Sequence, residues 1–178
     1  PFMGIAVVGR ILEDIGLRVG IIGQPDINSD VDIKRLGEPK LFWGVSGGSI
    51  DSMVSNYTAT KKFRNDDDYT PGGKNNKRPD RATLVYTNLI RRYFKNTVPI
   101  VLGGIEASLR RLTHYDYWSN TLRKPILFDS KADFLIYGMG EQAIIDLGLY
   151  LKEGKDVRTI AGLCYISKEP VKEYLQIP

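Results

Sequence analysis

Cysteine and histidine are almost absent: the 178-residue chain has one of each, Cys164 and His114. A lone cysteine excludes an internal disulfide framework and any multi-cysteine metal site built by this chain alone. A lone histidine likewise excludes a histidine-based metal site. No apolar run reaches the length of a membrane span. Residues 1–24 break their apolar pattern with Arg10, Glu13, Asp14 and Arg18, unlike a secretory signal. The expectation is a chain without membrane contact, in a reducing cytoplasm. Strong net charge is lacking too. A balance of +4 permits an anionic partner without demanding one. What remains is 42% hydrophobic and 26% charged, the make-up of one globular domain spanning residues 1–178.

Periodicity divides the chain into alternating elements. Ile5, Val8, Leu12 and Ile15 share a helical face that Gly16 ends. The β-rich run Arg18–Gln24 predicts a strand, and Ser29 or Asp30 predicts a cap for a short helix through Leu36. A second strand is expected over Leu41–Ser46, then a helix with Ile50, Met53, Val54 and Tyr57. Residues 58–81 form a polar, basic excursion, after which Asp80 is placed to cap a helix carrying Ala82, Val85, Tyr86, Leu89, Ile90, Tyr93 and Phe94 on one stripe. Strands follow at Val98–Leu102 and Asp133–Tyr137, separated by a short helix ending near Arg111 and an aromatic excursion over 112–130. Ala143, Ile144, Leu147 and Leu151 face inward from a helix that Gly154 stops, and Leu163–Ile166 is a last short strand. Strands alternating with helices imply parallel pairing. The fold expected is α/β and doubly wound, a mostly parallel sheet with helices on both faces, of the Rossmann or flavodoxin-like kind. Such a domain begins with a strand, whereas Pro1-Phe2-Met3-Gly4 leads straight into a helix, so a first strand is expected to be missing.

Three glycine turns fall at strand ends: Gly47-Gly48, Gly103-Gly104 and Gly138-Met139-Gly140. In a parallel sheet they share the carboxyl edge, where ligands of such folds bind. They could equally be ordinary tight turns. Glu106 and Glu141 sit beside helix starts, where a carboxylate is favoured but repels phosphate. Ribose hydroxyls or a cationic group suit this edge better than a pyrophosphate. Arg110 could pair with a carboxylate or phosphate, and His114, Tyr115 and Asp116 open the densest cluster of functional side chains, either a catalytic loop or an aromatic flap. Lys61, Lys62, Arg64, Lys74, Lys77, Arg78 and Arg81 interleave with Tyr57, Phe63 and Tyr69, the pattern of a nucleic-acid surface. Asp66-Asp67-Asp68 cuts through it, which favours a solvated loop or an interdomain seam.

Residues 41–53 (LFWGVSGGSIDSM), 78–86 (RPDRATLVY), 101–111 (VLGGIEASLRR), 114–118 (HYDYW) and 129–133 (DSKAD) together resemble the N-terminal region of the YgiQ-like radical SAM proteins, over nearly the whole chain. The turns Leu102-Gly103-Gly104 and 137–141 (YGMGE) resemble those of cobalamin-binding-like domains that precede radical SAM barrels. The resemblance implies a longer polypeptide whose downstream barrel binds a 4Fe–4S cluster through C-x3-C-x2-C and cleaves S-adenosylmethionine. No such motif occurs here, so no cluster ligand and no cofactor is assigned to this chain. The D-x-H-x-x-G signature of cobalamin domains is absent as well, which argues against cobalamin. The function expected is an accessory domain that helps enclose substrate, with the downstream radical SAM domain of the same polypeptide as its partner. The alternative is a non-catalytic module binding RNA or another anionic partner through residues 58–81.

Overall fold

A computed structural model describes residues 3–169. The Pro1-Phe2 opening lies outside the described residues. In chain order come α1 (Met3–Asp14), α2 (Val31–Lys34), β1 (Trp43–Ser46), α3 (Ser52–Asn56), α4 (Ala82–Tyr93), β2 (Ile100–Gly103) and α5 (Gly104–Leu109). They are followed by β3 (His114–Asp116), β4 (Thr121–Arg123), α6 (Ile126–Ser130), β5 (Phe134–Ile136), α7 (Glu141–Glu153), a 3-10 turn at Val157–Thr159 and β6 (Leu163–Tyr165).

Four strands form the main sheet in the order β1-β2-β5-β6. The first three run parallel, with Val45 beside Leu102 and Leu102 beside Leu135. Side chains alternate between faces along a strand. Val45, Ile100, Leu102 and Leu135 therefore pack with Leu89 and Ile90 of α4 and Leu127 of α6. Val101 and Ile136 pack on the opposite side with Leu12 of α1 and Ile144 and Leu147 of α7. This is the doubly wound arrangement that the alternation of elements predicts, with helices on both faces.

Some expectations are corrected. Arg18–Gln24 forms no strand: residues 17–24 nearly alternate between half-buried and exposed, and Val19 packs beneath α1, but no sheet ladder includes them. β6 pairs antiparallel with β5, with Leu163 beside Ile136 and Tyr165 beside Phe134. The aromatic excursion over 112–130 is a β3–β4 hairpin followed by α6. Asp80 does not cap α4. Arg81 holds the cap position with φ 52°, and the Asp80 carboxylate instead accepts from the Asn56 amide (2.9 Å) and the Tyr57 hydroxyl (2.8 Å). Of the apolar positions read onto α3, Val54 faces outward, while Ser52, Ser55 and Asn56 are buried beside Met53. Asp30 stands at the α2 cap position, but its carboxylate pairs with Lys34.

Candidate functional site

The three parallel strands end at one edge, and α5 sits across it. Gly104 starts α5 with φ +81°, and a Cβ there would lie 2.7 Å from the Ser46 hydroxyl, so only glycine fits. Two residues later, Glu106 is 1% exposed. Its Oε2 accepts the Ser52 N–H (2.8 Å) and its Oε1 accepts the Thr83 N–H (2.9 Å), so one carboxylate caps both α3 and α4. The Ser52 hydroxyl accepts the neighbouring Ala82 N–H (3.0 Å). Gly47 makes room for this carboxylate: a Cβ there would stand 2.6 Å from Oε2.

Arg110 extends the network. Its guanidinium pairs with Asp51, whose other oxygen caps α3 through Met53 N–H (2.9 Å), and it also donates to the Glu106 carbonyl (3.2 Å). Burial works against the Arg110 charge, but Asp51 together with Glu106 and Asp116 raises its pKa above the ordinary value. The charge of Glu106 is thus directed inward, onto backbone N–H groups. Glu141, the other carboxylate beside a helix start, is instead exposed on the first turn of α7.

The hairpin adjoins this network through a narrow cleft. Asp116, 3% exposed, accepts from Arg81 (2.6 Å), the Ser119 N–H (3.1 Å) and the Ser119 hydroxyl. Burial alone would raise its pKa, but these bonds bring it down to about 2. His114 donates from Nδ1 to the Leu112 carbonyl (3.0 Å), and its buried Nε2 has no partner among the described residues. With Arg81, Glu106, Arg110 and Arg123 it lines a cleft of about 20 Å³, room for one water molecule. Tyr115 is exposed and bonds to the Asn120 side chain.

Residues 58–81 are tied down rather than loose. Asp67 is buried against Arg78 (3.0 Å); burial opposes its charge, yet bonds from Thr70, the Tyr69 N–H and Arg78 lower its pKa. Lys61 stands 4.6 Å over the Tyr117 ring and donates to the Trp118 carbonyl (3.3 Å), while Tyr117 donates to the Ala59 carbonyl (2.7 Å). Arg78, Arg81 and Lys61 are therefore engaged internally, which weakens this segment as a nucleic-acid surface.

The third turn stands apart. Gly138 adopts φ +70° and its N–H reaches only the Ser108 hydroxyl (3.4 Å), Met139 is 92% exposed, and Gly140 holds the cap position of α7 with Ile136 where a Cβ would go. The edge thus unites Gly47, Gly48, Gly103, Gly104, Glu106 and Arg110, with His114 and Asp116 adjoining, while Gly138, Gly140 and Glu141 take no part in the Glu106 and Asp51 bonds and meet α5 through Ser108. Asp51, Ser52 and Thr83 were missed by sequence reasoning, and Arg81, read there as part of a basic surface, pairs instead with Asp116. Asp51 ahead of Ser52-Met53 is an N-cap signal that sequence could have supplied. Among the described residues, no cluster of three His, Cys, Asp or Glu side chains could hold a metal ion. Cys164 is half-buried on β6, and burial pushes its thiol up, against a smaller opposing effect of Arg111. No helix among the described residues is long and apolar enough to cross a membrane.

A mostly parallel sheet with helices on both faces and glycine turns along one edge defines a Rossmann-like α/β domain. The radical SAM N-terminal family matches residues 1–178, and the chain belongs to it as an N-terminal domain of a radical SAM protein. A UPF0313 protein of Fusobacterium nucleatum is 61% identical over 178 residues, covering 99% of this chain and 31% of that protein. A UPF0313 protein of Thermotoga neapolitana is 52% identical over 181 residues, covering 100% of this chain and 32% of that protein. The chain thus spans about a third of the length of these curated relatives. The fold is shared with the radical S-adenosylmethionine methyltransferase TsrM of Kitasatospora setae. Its structure with cobalamin and a 4Fe–4S cluster bound has a TM-score of 0.62 at 18% identity, covering 93% of this chain and 26% of that one. Its structure with tryptophan and a SAM analogue bound has a TM-score of 0.60 at 19% identity, covering 91% and 25%.

Proposed function

We propose that residues 1–178 form an accessory domain of a cytoplasmic radical SAM enzyme, and that its carboxyl edge docks on the downstream radical SAM domain of the same polypeptide and helps enclose the substrate. One observation carries this reading. The residues that follow the three parallel strands leave Ile50, Val54, Ile105, Leu109, Leu112 and Met139 exposed. Apolar side chains gathered on one edge mark an interaction surface. About two thirds of a relative's length lies outside this chain and is available to cover it.

The 4Fe–4S cluster and S-adenosylmethionine belong, in this reading, to the rest of the polypeptide. The half-buried Cys164 offers one ligand where a cluster needs several. Cobalamin is a cofactor of the structural neighbour, and nothing in the donor set here points to a cobalt ligand: the His114 ring is turned into the cleft beside Arg81 and Arg110. The task left to this domain is positioning, with the α5 edge and the hairpin forming a wall.

The test uses the full-length polypeptide, reconstituted anaerobically with iron and sulfide. Reduced protein is expected to give the electron paramagnetic resonance signal of a 4Fe–4S cluster. Leu109→Asp with Met139→Asp is expected to keep that signal while making the junction between the domain and the remainder sensitive to protease. A polypeptide without a three-cysteine motif or cluster signal would end the radical SAM reading. An intact cluster with unchanged protease resistance would end the docking reading alone.

A further inference from the structure

β1 is the edge of the sheet, and its central residue, Gly44, is exposed. After α1 comes a segment that behaves like a strand without a partner. Residues 17–24 nearly alternate in burial, Val19 packs on the cluster beneath α1 and Ile21 lies within reach of Gly9 in α1. Within the described residues, however, none of the backbone N–H or C=O groups of residues 18–23 is hydrogen-bonded. None of these six residues is buried, so water can reach their backbone, but a strand-like run with a row of unpaired N–H and C=O groups is an open template for pairing with another strand.

We propose that a β-strand from the polypeptide on the amino-terminal side of α1 fills a slot between β1 and residues 18–24, parallel to both. The direction of the flanking segments fits. Residues 18–24 leave the end of α1 and finish with the Gln24 amide donating to Thr70 (2.7 Å), in the segment that follows α3 at the carboxyl edge where β1 also ends.

Handedness fixes the order. Crossovers between parallel strands are almost always right-handed, so connections that move in opposite directions along a sheet lie on opposite faces. The β1-to-β2 connection carries α4 on the face of Leu102. α1 lies on the other face, with Val101 and α7. The crossover through α1 therefore moves away from β2, which puts the incoming strand next to β1 and residues 18–24 outside it. The return from residues 18–24 to β1 passes through α2, whose Ile33 is buried on the α4 face, as a connection moving towards β2 requires. The sheet then reads 18–24, incoming strand, β1, β2, β5, β6.

The completed order has a consequence, which rests on the carboxyl edge being the ligand-facing one. Strand order reverses between the incoming strand and β1, and ligands of open α/β sheets bind at such a reversal. The crevice would open over Gly47 and Gly48, not over Gly138 and Gly140.

Hydrogen exchange followed by mass spectrometry on the full-length polypeptide tests the slot without reference to cluster or turnover. Amides 19–23 are expected to be protected as strongly as those of β2, and to lose that protection when the residues preceding Pro1 are deleted. Loop-like exchange of 19–23 in the full-length polypeptide, or protection that survives the deletion, overturns the proposal. A second measurement covers a deletion that does not fold. Two strand spacings separate Ile21 from Gly44 if a strand lies between them, about 10 Å, beyond the reach of a disulfide. The full-length pair Ile21→Cys with Gly44→Cys is expected to stay reduced under mild oxidant. Ready formation of the bond would show the two segments in direct contact and the slot closed.

Discussion

The two halves of the carboxyl edge solve the same geometric problem differently. The turns after β1 and β2 are locked together by Glu106, Asp51 and Arg110, whose polar atoms bond inward to the starts of α3 and α4. The turn after β5 has one long contact to Ser108 and ends in the exposed side chain of Met139. Glycine serves both, for opposite reasons: at Gly47 a side chain has no space, and at Gly138 it has space but a left-handed backbone. A shared motif in sequence is therefore a packed joint at one place and an open surface at another.

Removing the joint is expected to have the largest effect. Glu106→Ala leaves two buried N–H groups without an acceptor and should cost about 4 kcal/mol, read from urea unfolding. A loss below about 1 kcal/mol would mean that water replaces the carboxylate. Gly47→Ala comes next, at about 2 kcal/mol, because its Cβ displaces the carboxylate. Gly138→Ala is expected to cost about 1 kcal/mol from backbone strain alone. Equal losses at Gly47 and Gly138 would erase the contrast between the halves.

Acid should act on the locked half. Asp116 has a depressed pKa in the folded state, about 2, so its contribution to stability is complete above the unfolded carboxylate range near 4. That contribution is lost as pH falls from about 4 towards 2. Asp116→Asn is expected to flatten the pH dependence of the urea midpoint across that window, and an unchanged slope would place the acid sensitivity elsewhere. The smallest effect on stability is expected for Met139→Asp, within about 0.5 kcal/mol, since the side chain touches little.

Long helices were legible because their burial is periodic: the stripe of α7 follows from spacing alone, while on α1 the expected Ile5 is exposed and on α4 the buried Thr83 and Thr87 lie off the apolar stripe. The family blocks were legible because they hold the glycines and charges of the edge. What escaped was decided by partners distant in sequence. Arg18–Gln24 has the composition of a strand, yet a strand needs a ladder, and among the described residues none includes it. Asp80 looks like the cap of α4, but Glu106 and Ser52 reach its first N–H groups from other elements. The β3–β4 hairpin was hidden because its polar turn, with Asn120 at φ 53°, sits among aromatics that pack on residues 57–63.

The carboxylate of Glu106 also governs how the chain tolerates length. It bonds to residues 54 and 23 positions away, and the basic excursion lies between those two anchor points. The entropy of closing a flexible loop grows only with the logarithm of its length, about 0.6 kcal/mol for each doubling. Residues added at an exposed tip of the excursion, clear of the bonds that Asp67, Arg78 and Asp80 make, therefore leave the starts of α3 and α4 where they are. The edge is held by a clasp whose strength hardly depends on the length of such a tip.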